Sequence, residues 1–446
     1  MAGPGITRRL AVFAAEADAS RFPASARASA KLSLLDWCTV ARAGVDEPVS
    51  RIVRTMVEAE GGVAEASLFG GAARLPARAA ALANGATSHA LDYDDTHFDY
   101  VGHPSVAIFP AALAVAERVD ASGRAFLDAA LVGLETTVRF GRWLGRAHYE
   151  HGFHQTSTSG AIGAAAACAR LLGLDAERAA HALGIVATRA SGLKSQFGTM
   201  GKPYHAGMAA ANGVEAATLA ALGLVSRPDG IECEQGFAAT HAGEGGPVEP
   251  VLDGLGTAFR FERVQYKLHA CCHGTHAAIE ALLAIRDGNG VRAEAIDSVT
   301  LAVNPRWLRV CDIAEPRTGL EAKFSYRLTT AMVFGGLDTG ALASFSDAAC
   351  ARPELRALAG RVRVAADAAL ADTAARAVVR LSDGRTIERT HDLDAGIDPA
   401  LLRERLLAKA GALLGPATAQ CVGQAIDAID AGRARTLAAT LTGASA

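Results

Sequence analysis

Apolar positions recur at helical spacing through most of the first 260 residues. After Pro23, the side chains of Ala26, Ala30, Leu34, Leu35 and Cys38 share one face, which predicts a helix that opens at the proline and buries one side. Asp175-Ala-Glu-Arg178 predicts an aspartate N-cap, since a short acidic side chain accepts from the free N–H groups of a first turn; Ala179, Leu183 and Val186 then lie together. Residues 126–144, 159–172 and 206–222 repeat the period, with Gly and Ala allowing close helix contacts. Beyond about residue 260 the texture changes. Residues 296–303 alternate as a strand, and 377–387 read as a hairpin turning at Asp383-Gly384. From Asp398-Pro399 the period is helical again, through Leu401, Leu402, Leu406 and Leu407. The pattern predicts a mainly α chain with a smaller α/β domain. The helical domain is discontinuous, residues 1–260 and 400–446, and residues 261–399 form the α/β domain.

Length and composition agree with two soluble domains. The 446 residues are 50% hydrophobic and 20% charged, enough apolar surface for large cores. Acidic residues number 47 and basic ones 44, a formal net charge of −3, so no global field recruits nucleic acid or an anionic membrane. Any anionic ligand is held locally. Arg8-Arg9 precedes an apolar stretch too short for a signal peptide, and the apolar runs at 105–116 and 160–169 fall below membrane-spanning length. Eight cysteines at irregular spacing suggest reduced thiols in a cytoplasmic protein.

Chemistry concentrates in a few segments. Leu91-Asp-Tyr-Asp-Asp-Thr-His97 and the following His103-Pro-Ser105 crowd Asp92, Asp94, Asp95, Asp99, His97 and His103 together, at a cost in repulsion and desolvation unless they are solvated, paired or used. The plain alternative is a solvated loop with capping aspartates. Gly152-Phe-His154 places a histidine just before the helix expected near Ser159, where free N–H groups meet anions; alone, such a histidine is more often a capping or structural one. In Gly201-Lys-Pro-Tyr-His-Ala-Gly207, Lys202 opposes the dipole of a helix expected to start at Pro203 or Tyr204 unless an anion lies between them. Tyr266-Lys-Leu-His-Ala-Cys-Cys-His-Gly-Thr-His276 looks metal-like but lacks the separated ligand pairs of a zinc site. Lys267 is a second candidate anion contact. Glu321-Ala-Lys-Phe-Ser-Tyr326 reads as an amphipathic helix start.

Taken in order, Leu91-Asp-Tyr-Asp-Asp-Thr-His97, His103-Pro-Ser105, Gly152-Phe-His154, Gly201-Lys-Pro-Tyr-His-Ala-Gly207, Lys267 with Cys271-Cys272 and Thr275-His276, and Ala322-Lys-Phe-Ser325 resemble the MmgE/PrpD family. That family includes 2-methylcitrate dehydratases, cis-aconitate decarboxylases and an iminodisuccinate epimerase. The resemblance implies a large all-helical domain plus an α+β lid domain, a homodimer, and a site without metal or cofactor that acts on small di- or tricarboxylates. It implies proton transfer at a carbon next to a carboxylate. By position, His103 and His154 become acid/base candidates, Lys202 and Lys267 electrostatic clamps, Asp92 a residue orienting a histidine, and Thr96 a hydrogen-bond donor. An unperturbed histidine of this kind would titrate near pH 6 to 7, around the ordinary value of about 6.5.

Two departures bear on the reaction. Cys272, read as pocket-lining, stands where cis-aconitate decarboxylases resemble one another in carrying a site histidine, and Tyr326-Arg327-Leu328 displaces or removes a tyrosine those enzymes hold nearby. Both argue against decarboxylation of cis-aconitate, and favour a 2-methylcitrate dehydratase-like hydro-lyase, with an epimerase as alternative. Asp92-Tyr-Asp-Asp-Thr96 also fits a haloacid dehalogenase-type phosphatase, whose nucleophile needs the end of a buried strand with magnesium alongside; residues 79–90 are Ala-rich and helical instead. A carboxylate binder without turnover is the non-enzymatic alternative.

Overall fold

The computed structural model describes residues 5–442. Packing divides the chain into two units: one runs to Tyr266 and resumes at Leu414, and the other spans Lys267–Leu413. Both fold classes expected from the sequence are present, helical in the first and mixed in the second. No helix among the described residues is long and apolar enough to cross a membrane.

The first unit is built from α1 (Ile6–Glu16), α2 (Ala24–Ala43), α3 (Pro48–Glu60), α4 (Ala77–Ser88), α5 (Ser105–Arg118), α6 (Gly123–Glu150), α7 (Gln155–Leu171), α8 (Ala176–Ala187) and α9 (Gly201–Ala221). The sequence signals recur as geometry. Pro23 precedes α2, and the Asp175 carboxylate accepts from Arg178 N at the start of α8. Small residues set the distances between helices. A Cβ on Gly85 of α4 would sit 2.8 Å from Gly207 Cα of α9, and one on Gly207 would sit 2.2 Å from Leu82 O. Glycine is therefore required at both places, and the contact brings the end of α4 beside the start of α9. Gly133 of α6 and Gly163 of α7 make a second such crossing, where a Cβ on Gly163 would meet Gly133 O at 2.4 Å.

Helix α7 begins at Gln155, four residues before the Ser159 that its apolar pattern suggests, with His154 at its N-cap. Gln155, Thr156, Ser157 and Thr158 are buried although polar, so hydrophobicity alone does not mark this turn.

In the second unit, α10 (His276–Asn289) and α11 (Tyr326–Phe334) pack with a four-stranded sheet of β1 (Ile296–Val303), β2 (Val362–Ala366), β3 (Ala374–Leu381) and β4 (Thr386–Asp392). The order is β2-β1-β3-β4, parallel between β1 and β2 and antiparallel elsewhere. The β3–β4 hairpin turns at Asp383-Gly384, where Gly384 adopts φ 88°, a left-handed conformation that suits glycine. Thr318 and Glu321 form a capping box ahead of α11. Helix α12 (Pro399–Leu414) lies in this unit up to Leu413; α13 (Pro416–Asp427) and α14 (Ala434–Thr442) belong to the first.

Candidate active site

The acidic segment leaves α4 in a tight turn, Asp92 N donating to His89 O at 3.1 Å. Asp92 takes φ 50° and the β-branched Val101 φ 57°, left-handed conformations that cost free energy and are held by the surrounding structure. That structure is a closed loop: His97 and Gly102 exchange backbone hydrogen bonds, and Thr96 pairs with Gln265 at 2.8 and 2.7 Å. His103 is tied to the first turn of α7 by its N–H, which donates to Thr156 Oγ1 at 3.0 Å.

The crowded carboxylates then separate by partner. Asp94, buried, lies between two imidazoles, with Oδ1 2.8 Å from His89 Nδ1 and Oδ2 2.8 Å from His103 Nδ1. Burial alone would raise its pKa, but His89 and His103 hold it well below the usual carboxylate range. Asp92, half-exposed, pairs with the Lys202 ammonium at 2.6 Å and stands 3.7 Å from His103 Nε2. The anion that Lys202 needs at the start of α9 is thus Asp92. The nearer partner of a histidine is Asp94, not the Asp92 expected to orient one. Asp99 pairs with Arg142 and Arg263, and His97 Nε2 meets Arg260 O at 2.8 Å, so both serve the loop.

His154 completes the group. Its ring lies 6.1 Å from His89, nearly parallel, and 4.9 Å from Phe197 edge to face; Lys202 Nζ lies 5.4 Å from the same phenylalanine ring. His154 Nδ1 is 3.1 Å from His205 Nδ1, one helical turn beyond Lys202 on α9. Burial and then the Lys202 charge hold His154 well below its ordinary pKa. Burial, offset only partly by Asp94, lowers His103 to about 4. The titration near pH 6 to 7 expected of an unperturbed histidine is therefore displaced downward: both rings are neutral at pH 7.

Asp95 plays a different part. It is buried, accepts from Ser105 N at 3.3 Å and Ser105 Oγ at 2.6 Å, and so anchors the start of α5 directly after His103-Pro104. Burial, and then Asp36, raise its pKa to about 8. Unfolded, this carboxyl ionises through 3.8; folded, it keeps its proton to about 8, so wild-type stability falls as pH rises through that window. Asp95→Asn, which cannot ionise, is expected to gain on the wild type in Tm between pH 5 and pH 8.5 by about 3 °C or more. A Tm difference constant across that range would show that Asp95 is already ionised in the fold.

His89, Asp92, Asp94 and His103 offer ligand atoms within 4.8 Å of one another, the spacing a divalent metal requires. Asp92 is nevertheless paired with an ammonium and both Asp94 oxygens face imidazole nitrogens, so the arrangement already carries its cation as Lys202. Among the described residues the 269–276 segment forms no such grouping. The haloacid dehalogenase arrangement is absent too, since Asp92 follows a helix and not a strand. A cavity of about 1190 Å³ beside α1, lined by Arg8, Phe13, Arg21, Glu249 and residues 252–257 among others, contains none of the cluster. Here charge and geometry, not cavity size, mark the site.

Of the expected residues, Asp92, His103, His154 and Lys202 come together in the first unit, with Thr96 on the same loop. Lys267 and Cys272 belong to the second. Lys267 is buried and its carbonyl accepts from the buried Lys409 ammonium at 2.9 Å. Cys272 is half-buried; its N–H donates to Lys323 O at 3.0 Å. The Tyr326 hydroxyl, fully buried, donates to Gly274 O at 2.7 Å. His89, Asp94 and His205 were not assigned from sequence. The signals for them were slight: His89 ends a helix five residues before Asp94, and His205 repeats Lys202 at i+3.

Comparison with known proteins supplies an independent line. The MmgE/PrpD N-terminal domain matches residues 8–249 and the MmgE/PrpD C-terminal domain residues 269–432. Cis-aconitate decarboxylase of Homo sapiens is 31% identical over 302 residues, 65% of this chain and 62% of that protein. Cis-aconitate decarboxylase of Mus musculus is 30% identical over 305 residues, 65% and 61% of the two chains, and that of Aspergillus terreus 30% over 293 residues, 62% and 59%. The matched region spans about three fifths of each relative's length.

Proposed function

This chain belongs to the MmgE/PrpD family, and from that premise we propose that it is a lyase acting on a small di- or tricarboxylate by proton transfer at a carbon next to a carboxylate. The observation that carries the reading is Asp94 set between His89 and His103, beside the Lys202–Asp92 pair. A carbon acid needs a base whose conjugate acid is stabilised, and a cation near the carboxylate that becomes enediolate-like. His103 is the better base: the Asp94 carboxylate, 2.8 Å from its Nδ1, stabilises the imidazolium, and Nε2 lies on the other side of the ring, 3.7 Å from Asp92. His154 has Lys202 as a neighbour and stays neutral, suited to donate a hydrogen bond. Two titratable groups in contrasting environments give the division of roles. For Thr96, Lys267 and Cys272, the substrate contacts implied by the resemblance are kept in the proposal.

Within the class, a hydro-lyase of the 2-methylcitrate dehydratase type is the first candidate. Cys272 in place of the decarboxylases' histidine favours it, as does Tyr326, whose hydroxyl is taken by Gly274 O. Decarboxylation of cis-aconitate is the second reading, favoured by the names of the relatives. Incubation with 2-methylcitrate, citrate, cis-aconitate and iminodisuccinate separates the two: dehydration appears as ultraviolet absorbance of a new double bond, decarboxylation as released carbon dioxide, and epimerisation as exchange of the α-proton by NMR. Binding of all four with neither turnover nor exchange would leave a carboxylate binder and sink the lyase reading.

Because Lys202 supplies the positive charge, prolonged treatment with EDTA is expected to leave turnover within about twofold. Loss of activity restored by magnesium or zinc would move the cation's role from Lys202 to a metal on His89, Asp92, Asp94 and His103.

A further inference from the structure

We infer that His205 is a positioning residue that fixes the tautomer of His154, donating its Nδ1–H to His154 Nδ1 so that His154 presents an Nε2–H donor to the substrate. The inference rests on the proposed reaction for the direction of the proton; the sharing of one proton between the two rings does not depend on it.

The geometry leaves few arrangements. The two Nδ1 atoms are 3.1 Å apart, a hydrogen-bond distance, and neutral imidazoles at that distance share one proton, because two N–H groups would clash and two lone pairs repel. Burial keeps both rings neutral at pH 7: His205 is lowered to about 4 and His154 is held well below its ordinary value. The pair is held from both sides. Ser157 Oγ on the first turn of α7 donates to His205 O at 3.0 Å, and His154 N donates to Gly192 O at 2.9 Å.

The direction of the proton follows from the neighbours. Lys202, His89, His103 and His205 each disfavour a charged His154. An imidazolium there would be unsupported, so a lone pair at Nε2 would serve poorly as a base. A proton at Nε2 meets no such penalty and can face a substrate carboxylate or the oxyanion that develops from it. At His103 the Asp94 carboxylate, 2.8 Å from Nδ1, favours the opposite choice, a proton at Nδ1 and a lone pair at Nε2. Two histidines of one cluster then face the substrate with complementary groups, one accepting and one donating, each set by a buried partner on its far side.

The test is nitrogen NMR on protein labelled with ¹⁵N-histidine, the His154 signals being identified by their loss in His154→Gln. The expected spectrum shows a pyrrole-like Nε2 and a pyridine-like Nδ1 for His154. His205→Leu should broaden or reverse that signature and lower kcat by about ten- to a hundredfold with KM nearly constant. His205→Asn, which retains an N–H donor of similar reach, should recover most of the loss. A His154 protonated at Nδ1 in the wild type, or a His205→Leu enzyme with wild-type kcat, overturns the inference; so does His205→Asn as slow as His205→Leu. Should no carboxylate prove to be a substrate, the function fails and the NMR result still decides the tautomer; should His205→Leu not fold, the wild-type spectrum decides alone.

Discussion

His103→Gln is expected to lower kcat by about a hundred- to ten-thousandfold, with KM within about threefold, because it removes a proton acceptor and little ground-state binding. The side chain is nearly buried, its backbone is fixed by Thr156, and Gln fits without introducing a charge, so loss of the fold is not the expected cause. Asp94→Asn should reproduce much of the effect, about a hundredfold or more, since a carboxamide can force His103 into the tautomer with its lone pair turned away from the substrate. His154→Gln should cost less, about ten- to a hundredfold, as glutamine can still donate a hydrogen bond. The pH profile is an independent reading. A base that burial lowers to about 4 is unprotonated throughout the neutral range, so kcat/KM should be flat from pH 6 to 8 and fall only toward pH 4. A limb between pH 6 and 7 that disappears in His154→Gln, together with near wild-type turnover of His103→Gln, would transfer the role of base to His154.

Much of the fold was legible because period and capping are local. The aspartate at position 175, the proline at 23 and the alternation of Ile296–Val303 each act within a few residues, and each appears where the pattern places it. The start of α7 was not, because Gln155 to Thr158 are buried polar residues chosen by their surroundings. The close crossing at Gly85 and Gly207 was visible only as small residues in two separate helices; that they face each other is a property of tertiary packing.

The site divides the same way. That Lys202 needed an anion followed from the dipole of its own helix, a local argument. Which anion did not, since Asp92 lies 110 residues earlier in the chain. Asp92 and Asp94 are indistinguishable as letters in Asp92-Tyr-Asp-Asp95. A left-handed backbone at Asp92 turns one carboxylate toward the lysine while the other is buried between histidines. Burial, which sequence does not report, also moves the histidines out of the range where an isolated imidazole titrates.

Lys202→Met separates binding from chemistry in another way. The ammonium sits 2.6 Å from Asp92, in a cluster where His103 and His154 are neutral and Asp94 lies between His89 and His103. A substrate carboxylate arriving there meets a cation whose partner, Asp92, is half-exposed. The attraction exists in the bound ground state and grows as negative charge spreads onto the carboxylate during proton removal, so its loss should appear in both constants. The expected result is a KM raised by about tenfold and a kcat lowered by about ten- to a hundredfold, together about a hundred- to a thousandfold in kcat/KM, or about 3 to 4 kcal/mol. Methionine keeps the length of the stem and its packing near Phe197, and the Asp92 left behind can be hydrated, so Tm should change little. Asp92→Asn provides the opposite sign for binding: with its competitor neutralised, Lys202 should hold the substrate carboxylate more tightly and KM should fall. If Lys202→Met leaves KM unchanged and Asp92→Asn raises it, the carboxylate does not bind at Lys202, and the pair is a structural brace between the acidic loop and α9.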